Sequence, residues 1–241
     1  MSALICIPTY NEAENITTLL SAILDMDLNA EIVVIDDNSP DNTAATARKF
    51  CEKHPSGNLV NIITRSEKKG RGAAVWFGVK CCMRREHETI IEMDADFSHS
   101  PTYLLRGIRL IKKGNDLVIA ARYPNGSIIN WPTSRRIFSF FANLLARVLL
   151  SWKIHDYTNG YRFYSYNAAS LLCASEMKED GYINLSETLS ICLRQGLLIT
   201  SFPIVFVNRN KGKSNTSIRE IAKSLIALCR ISYHHHTIKK P

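Results

Sequence analysis

The stretch Thr-Ile-Ile-Glu-Met-Asp-Ala-Asp at residues 89–96 decides how this 241-residue chain is interpreted. Its first five residues are mostly apolar, which is typical of a strand that is covered on both faces of a parallel sheet. We therefore predict a buried strand over residues 89–94. Asp94 and Asp96 are two residues apart, so their side chains face the same way if the strand continues, and a tight turn would also bring them together. The stretch predicts a carboxylate pair at the end of a buried strand.

Similar apolar runs alternate with stretches of helical length on either side of it. Strands are predicted at 3–8, 31–36, 59–64 and 116–120, and helices at 12–25, 42–53, 71–85 and 101–112. For the first helix, Asn11 is the predicted N-cap, with Glu14 three residues later. This alternation predicts a parallel α/β sheet with helices on its faces.

The pattern changes after residue 120. A turn-rich loop at 122–131 precedes a predicted helix at 135–150, and an irregular segment is expected around 156–162. Two more helical stretches follow, and then one or two strands over 197–207, bent at Pro203. An amphipathic helix at 218–232 and a basic tail at 234–241 complete the chain.

The composition is that of an ordinary globular protein with a basic surplus. Hydrophobic residues make up 46% and charged residues 22% of the chain, and the formal net charge is +8. On charge alone, nucleic acid, a phosphorylated metabolite and an anionic membrane surface all stay open as partners, and so does the absence of any such partner. The chain starts without a basic and apolar leader, and its seven cysteines show neither metal-ligand nor disulfide spacing. We therefore expect a cytosolic protein.

The predicted carboxyl ends of the strands collect the candidate functional residues, because ligands bind at that edge of an open α/β sheet. The acidic residues found there are Glu12, Asp36, Asp37, Asp41, Asp94 and Asp96, with Arg122 after the fifth strand. Like charges repel unless a cation lies among them, and carboxylate oxygens suit Mg²⁺ or Mn²⁺. Asp37 could bind a ribose hydroxyl or a base edge. Asp-x-Asp pairs also occur in turns and caps, and we assign Asn38, Ser39 and Asp41 to that structural role.

A dinucleotide-binding fold is the main rival, and it requires a Gly-x-Gly-x-x-Gly turn after the first strand. That position here holds Pro-Thr-Tyr-Asn-Glu at 8–12, without a glycine. Gly70 and Gly72 follow the third strand instead, beside Lys68, Lys69 and Arg71. This segment could bind an anion at a helix start or form a flexible turn, and the sequence favours neither.

Several motifs together resemble the family 2 glycosyltransferases, and within them the dolichyl- or polyprenyl-phosphate mannose synthases. The motifs are Ile-Pro-Thr-Tyr-Asn-Glu at 7–12, Asp-Asp-Asn-Ser-Pro-Asp at 36–41, Met-Asp-Ala-Asp-Phe-Ser-His at 93–99, Asn-Trp-Pro at 130–132 with the arginines at 135 and 136, Thr-Asn-Gly-Tyr-Arg at 158–162, and the segment 206–214. The resemblance runs in order from residue 3 to about residue 228. This chain departs from the family pattern at three places. Arg71 stands where a leucine is usual, and Asn215 stands where a basic residue is often found. Leu185 and Ser186 precede Glu187 where many members have an aromatic residue and a glutamine.

The resemblance implies a GT-A fold, a mostly parallel central sheet flanked by helices, with C-terminal amphipathic helices. We divide the chain into a GT-A catalytic domain at 1–210 and a basic loop, amphipathic helix and tail at 211–241. The implied reaction moves mannose from GDP-mannose to a polyprenyl phosphate with inversion at the sugar carbon, and it uses Mg²⁺ or Mn²⁺.

Site residues are carried over by position from the resemblance. The residues implied to bind the donor are Pro8, Tyr10, Glu12, Ile35, Asp37, Asp94, Ala95, Asp96, Arg122 and Arg209. Those implied to hold the metal are Asp94, Asp96 and Ser98. Those expected to bind the acceptor phosphate are Arg122, Arg135, Arg136, Lys211 and Lys213. The residues expected to carry catalysis itself are Asp94, Asp96, Arg122 and Arg136.

Two segments raise the question of a membrane. Residues 137–150 are predicted to form a largely apolar helix, in which the polar residues Ser139, Asn143 and Arg147 fall on one stripe. Residues 218–228 carry an apolar stripe of their own. Such faces either pack on the domain's own core or lie at the surface of an anionic bilayer. Neither reaches the roughly 18 apolar residues of a spanning helix. We expect peripheral attachment to the cytoplasmic face of a membrane, aided by a separate membrane subunit.

Two alternatives stay open from the sequence. The same chemistry could use UDP-glucose or another nucleotide sugar. A basic nucleic-acid-binding or scaffold domain is the distant alternative. It would need aromatic residues among basic ones on an exposed face, and the acidic strand ends would repel a phosphate backbone. We therefore expect no nucleic-acid partner.

Overall fold

The computed structural model describes the backbone of residues 2–67, 69–208 and 218–237, and the side chains of these residues other than 218–222. The strands are β1 (Ser2–Thr9), β2 (Ala30–Asp36), β3 (Val60–Thr64), β4 (His87–Glu92), β5 (Leu117–Ala121), β6 (Ser127–Ile129), β7 (Arg162–Ser165), β8 (Ile199–Pro203) and β9 (Val205–Val207). The helices are α1 (Ile16–Leu24), α2 (Thr43–Cys51), α3 (Arg71–Cys82), α4 (Leu104–Lys112), α5 (Thr133–Leu149), α6 (Tyr166–Ala174), α7 (Asn184–Arg194) and α8 (Ile218–Thr237).

Seven strands form one sheet in the order β3-β2-β1-β4-β7-β5-β8. All neighbouring pairs are parallel except those of β7, which runs antiparallel between β4 and β5. The short strands β6 and β9 pair separately. The predicted mostly parallel α/β sheet is therefore confirmed.

Residues 156–161 are irregular, as predicted, but the strand β7 that follows them was not predicted. It begins at Arg162 and is only four residues long, too short to show a periodic pattern. Its partners are distant in sequence, since Ile91 pairs with Phe163. Its insertion places residues 156–161 next to the end of β4.

Apolar side chains fill both faces of the sheet, which explains why the strands read as nearly continuous apolar runs. On β2, Val33 and Ile35 pack on the side of α3, α6 and α7. Ile32 and Val34 pack on the opposite side with α1 and α4. The polar residues at the carboxyl ends of the strands are thus held by a core on each side.

Two predicted boundaries were wrong, and both affect the site. Helix α1 begins at Ile16 rather than at residue 12, and Asn11 is not its N-cap, because Asn11 has φ 61° and its backbone N–H donates to Ser39 Oγ. Strand β4 ends at Glu92, so Asp94 and Asp96 lie in a turn beyond the strand.

The C-terminal helix α8 is longer than predicted, because it continues to Thr237 through part of the expected tail. Leu228 and Ile231 lie in the same apolar cluster as the sheet side chains Leu4 and Ile119, so this helix packs on the main fold. The predicted basic loop lies outside the described residues. Within the part of the chain that the structure describes, no helix has the length and apolar character needed to cross a bilayer.

Candidate active site

An acidic turn, residues 94–99, follows β4 at the carboxyl edge of the sheet. Asp96 Oδ1 accepts from the backbone N–H of Ser98 (3.1 Å) and from its hydroxyl (2.6 Å). The backbone N–H of Asp94 donates to His99 Nδ1 (2.8 Å), while Phe97 takes a left-handed conformation with φ 60°. Ala95 and Ser98 are buried, and both aspartates are half-buried. The turn is therefore held by its own hydrogen bonds with both carboxylates near its surface.

His99 supports this turn from below, a role that the sequence did not predict. Its Nε2 lies 3.0 Å from Asn159 Oδ1 and 3.8 Å from Asp94 Oδ2, and its ring stacks on Tyr161 at 4.9 Å. Burial lowers the pKa of His99, and the nearby Arg71 charge lowers it further. Since Nδ1 accepts a hydrogen bond, a neutral ring carries its proton on Nε2 and donates to Asn159. His99 thus fixes the backbone of the carboxylate pair.

Arg71 lies against the acidic turn from the start of α3. Its Nε donates to Asp94 Oδ1 (2.6 Å), one terminal nitrogen pairs with the buried Glu92, and the other donates to Gly160 O (3.2 Å). Burial by itself lowers the pKa of Arg71, but the charges of Asp94 and Glu92 outweigh it and raise the pKa. A permanent positive charge therefore touches Asp94, one of the three predicted metal ligands. The sequence marked this arginine only as a departure and as part of an anion-binding or turn segment.

The neighbouring strand end, after β2, carries a second set of satisfied carboxylates. Asp37 forms a two-pronged ion pair with Arg65 (2.6 and 2.8 Å). Asp36 accepts from Thr9 and Ser39. Asp41 accepts from the backbone and hydroxyl of Thr43 at the start of α2, in line with the turn and cap role predicted for it and Ser39.

The other predicted nucleoside residues lie around this strand end. Pro8 lies near the end of β1, Tyr10 and Glu12 follow the strand, and all three are half-buried. Glu12 accepts from Asn15 (2.7 Å). Ile35 is fully buried, and its side chain packs against Gly78 of α3, so it belongs to the core of the sheet and not to an open surface. The side chain of Ile35 therefore exposes no surface for the predicted contact with a nucleoside.

Arg122, after β5, is buried and committed to a partner that the sequence did not identify. Its Nε and terminal nitrogen bind Asp156 (3.0 and 2.7 Å), and that nitrogen also donates to Thr158 Oγ1 (2.6 Å). Although burial by itself raises the pKa of Asp156, the charge and hydrogen bonds of Arg122 lower it. Arg122 is therefore a buried ion-paired group at the inner end of a groove.

That groove has a volume of about 550 Å³ and combines arginines with apolar side chains. Its lining includes Arg122, Tyr123, Ile128, Arg136, Phe140 and Phe141. Arg136 donates to Ile128 O (2.8 Å). Arg135 donates to Asn208 Oδ1 (3.0 Å) and lies over the Trp131 ring at 4.2 Å. The predicted phosphate residues Arg209, Lys211 and Lys213 lie outside the described residues.

Helix α5 forms one wall of the groove. It buries polar side chains and exposes apolar ones. Its buried positions include Ser139 and Asn143, whereas Phe140 and Phe141 are 55% and 60% exposed. Asn143 accepts from Tyr157 N (2.7 Å) and donates to Thr158 Oγ1 (3.1 Å). The polar stripe predicted from the sequence therefore faces the protein interior, and the apolar face that carries Phe140 and Phe141 is exposed to solvent.

The acidic turn fits a hard divalent cation that is completed by other ligands. Carboxylate and hydroxyl oxygens from Asp94, Asp96 and Ser98 are the donors that Mg²⁺ and Mn²⁺ prefer. Across the described ranges, no group of three or more His, Cys, Asp or Glu side chains could hold a metal ion. Such an ion usually keeps one or two carboxylates and takes further oxygens from substrate phosphates, so this donor set suits it.

Comparison with known families decides the class of protein. Residues 4–172 match the model of glycosyl transferase family 2. The chain belongs to glycosyl transferase family 2. The predicted resemblance is therefore confirmed.

This family 2 glycosyltransferase has relatives that match over most of its length. It is 35% identical over 223 residues to the polyprenol monophosphomannose synthase of Mycolicibacterium smegmatis, which covers 92% of this chain and 83% of that one. It is 31% identical over 230 residues to the undecaprenyl-phosphate mannosyltransferase of Micrococcus luteus, which covers 95% of this chain and 93% of that one.

Solved structures establish the GT-A fold of this glycosyltransferase. A glucosyl-3-phosphoglycerate synthase from Mycobacterium tuberculosis, solved with Mn²⁺, uridine diphosphate and glucosyl-3-phosphoglycerate, matches with a TM-score of 0.67 at 19% identity, covering 95% of this chain and 80% of that one. A mannosyltransferase from Pyrobaculum calidifontis in complex with GDP-Man and Mn²⁺ matches with a TM-score of 0.62 at 17% identity, covering 98% and 70%. The predicted fold is confirmed.

Proposed function

We propose that the protein transfers mannose from GDP-mannose to a polyprenyl phosphate, with inversion at the sugar carbon, and that it uses Mg²⁺ or Mn²⁺. Two relatives that match over most of this chain are named as polyprenyl-phosphate mannosyltransferases. The single observation that carries the proposal is the groove after β5, in which arginines adjoin an exposed aromatic helix face. A phosphate on an apolar chain matches both halves of that surface.

The acceptor chemistry explains why arginines are needed more than a general base. A phosphate monoester carries a charge of about −1.5 to −2 near neutral pH, so it is already a nucleophile. It must approach the donor diphosphate, and at roughly 5 Å with an effective dielectric near 20 each unit-charge repulsion costs on the order of 3 kcal/mol. Arg135 and Arg136 supply opposing charge, and a guanidinium fork matches phosphate oxygens.

Arg122 acts in this proposal from the inner end of the groove. Its guanidinium is held by Asp156 and Thr158, so its position is set before any ligand arrives. We extend the phosphate-binding role to Arg209, Lys211 and Lys213 as predictions from the family resemblance.

On the donor side, Asp94, Asp96 and Ser98 would hold the divalent ion. When bound, such an ion offsets the charge that develops on a leaving diphosphate. The protein's own part is to keep Asp94 and Asp96 at the turn, which His99 and the Ser98 hydrogen bonds accomplish. Pro8, Tyr10, Glu12 and Asp37 would lie along the nucleoside.

The open apolar face of α5 supports peripheral binding to the cytoplasmic face of a membrane. Phe140 and Phe141 lie beside Arg136, which suits a surface of apolar chains and anionic headgroups. A separate anchoring subunit is a further prediction that follows from the resemblance.

Transfer assays test the proposal directly. The protein is incubated with Mn²⁺ and either GDP-mannose or UDP-glucose, and with either a short polyprenyl phosphate or the same polyprenol without phosphate. We expect a mannosyl product with the phosphate acceptor only, and a β-linkage by NMR from the α-linked donor. Transfer from UDP-glucose alone would select the alternative donor, and equal use of the unphosphorylated alcohol would contradict the acceptor.

Binding to vesicles tests the membrane part separately. We expect cosedimentation with vesicles that contain anionic lipid and much weaker binding to neutral ones. Recovery of all the protein in the supernatant with both kinds of vesicle would contradict peripheral attachment.

A further inference from the structure

The ion pair between Arg71 and the acidic turn has a consequence for metal binding. We propose that Arg71 is an internal counter-cation that competes with the divalent ion for Asp94, so that the site binds the metal weakly until the donor diphosphate arrives. This inference rests on the proposed metal site at Asp94 and Asp96. It assigns Arg71 and Glu92 as positioning residues that make metal binding depend on the donor diphosphate.

Arg71 is built into the site and does not lie there by chance. It is held by Glu92, by Gly160 O and by Asp94 Oδ1, and the ring of Tyr182 lies 5.8 Å from its guanidinium carbon. The guanidinium fills the space beside Gly160, where an added Cβ would overlap it. The guanidinium therefore occupies a fitted place rather than a mobile one.

Glu92 keeps the arginine in that place. Its second oxygen accepts from Tyr164 OH (2.9 Å), and the carboxylate is buried at the end of β4. Because a buried carboxylate needs a partner, Glu92 holds Arg71 close to the acidic turn whether or not a ligand is bound. Asp94 thus has a permanent cationic partner at 2.6 Å.

The competition follows from the shared oxygen. An Asp94 oxygen that accepts from Arg71 Nε is a weaker ligand for a second cation, and a divalent ion near the guanidinium meets repulsion. A nucleoside diphosphate changes this balance, because it brings negative charge and oxygen ligands for the metal and gives the guanidinium a phosphate to bind. Metal and donor are therefore expected to bind together, each strengthening the other.

Binding of Mn²⁺ alone, measured by calorimetry or by the EPR signal of free Mn²⁺, tests the competition without any turnover. The Arg71→Met/Glu92→Gln double variant removes one charge of each sign, so the net charge around the turn is unchanged. We expect this variant to bind Mn²⁺ at least about ten-fold more tightly than the wild type. We also expect added GDP to raise Mn²⁺ affinity strongly in the wild type and much less in the variant.

Arg71→Lys is the second variant, and it keeps both the charge and the partner of Glu92. A lysine ammonium is a single point donor and cannot grip two carboxylates as a planar fork does. We expect Mn²⁺ to bind this variant several-fold more tightly than the wild type. Wild-type Mn²⁺ affinity in both variants, or in Arg71→Lys if the double variant does not fold, would overturn the inference.

Asp96→Asn separates this inference from the proposed function. If Mn²⁺ binding is lost in Asp96→Asn but is the same in wild type and both Arg71 variants, the metal site stands and the competition is wrong. If Asp96→Asn binds Mn²⁺ as the wild type does, the ion lies elsewhere, and the proposed metal site and the inference both fail.

Discussion

The acidic turn at residues 94–99 and the exposed face of helix α5 depart from ordinary burial in opposite directions. Around the turn, charged groups such as Glu92 and Arg71 lie inside the protein, tied to one another. On α5, Phe140 and Phe141 lie outside, although burying each would stabilise the fold by about 1.5–3 kcal/mol. Neither arrangement is the best one for stability. Under the proposed function, the turn serves a charged ligand and the helix face serves an apolar one.

Removing the charge of the turn is expected to have the largest effect. Asp96→Ala should lower transfer at least about 1,000-fold, because a metal ion contributes several kcal/mol of charge stabilisation to the transition state. Initial rates with saturating Mn²⁺ measure this effect. Asp96→Asn keeps an acceptor for Ser98 and should be nearly as inactive, with an unchanged melting temperature. Full activity in either variant would show that the turn does not hold the catalytic metal ion.

Breaking the buried ion pair of Arg122 and Asp156 comes next. Asp156→Ala leaves Arg122 buried without its carboxylate and should lower the free energy of unfolding by about 3–5 kcal/mol. Urea denaturation of the variant and the wild type measures this difference in the free energy of unfolding. Because the pKa of Asp156 is lowered in the folded state, its contribution is present above the ordinary carboxyl pKa and is lost as the pH falls through the folded-state pKa.

A matched control for that prediction removes both charges. Arg122→Met/Asp156→Leu should be less destabilised than Asp156→Ala, since no unpaired charge stays buried. Equal stability of Asp156→Ala and wild type would show that the pair has no structural role.

Replacing the buried polar stripe of α5 should have a smaller effect on stability. Asn143→Leu leaves the Tyr157 N–H without its acceptor and should cost about 1–3 kcal/mol. The exposed Ser134 on the same helix offers a control, and Ser134→Ala should leave the unfolding free energy unchanged. A more stable Asn143→Leu variant would mean that the helix does not depend on its polar face.

Making the exposed face polar is expected to change function and not stability. Phe140→Ser/Phe141→Ser should lower the use of polyprenyl phosphate in vesicles about ten-fold, while the unfolding free energy changes by less than about 1 kcal/mol. The exposed Leu198 lies outside the groove lining, and Leu198→Ser should leave acceptor use unchanged. An unaffected double variant would separate the aromatic face from the acceptor.

Much of the fold was accessible from the sequence because its signals are local. Strands β1, β2, β4 and β5 are buried on both faces, so each reads as an apolar run without reference to its neighbours. The carboxylate pair at 94 and 96 was visible for the same reason, since its position after such a run is a local property. The chain segments that form the groove were partly visible through the Asn-Trp-Pro motif and the two arginines after it.

The contacts that organise the site were not accessible, because they join residues distant in sequence. Arg71 meets Glu92 and Asp94 across more than 20 positions, and Arg122 meets Asp156 across 34. Strand β7 brings Asn159 and Gly160 to the turn, and its four residues carry too little pattern to be recognised. For α5 the sequence showed the polar stripe but not which face would be buried, since periodicity is the same either way.

The hydroxyl of Thr158 links helix α5 to Arg122. It accepts from Asn143 of α5 (3.1 Å) and from Arg122 (2.6 Å), so two hydrogen bonds connect this helix to the Arg122 guanidinium. Under the proposed function, replacing α5 by a segment that binds lipid more strongly would therefore also change the surroundings of Arg122, the proposed phosphate-binding residue. Chimeras that retain an asparagine at position 143 preserve the hydrogen bond to Thr158, whereas those without it lose this link between the helix and Arg122.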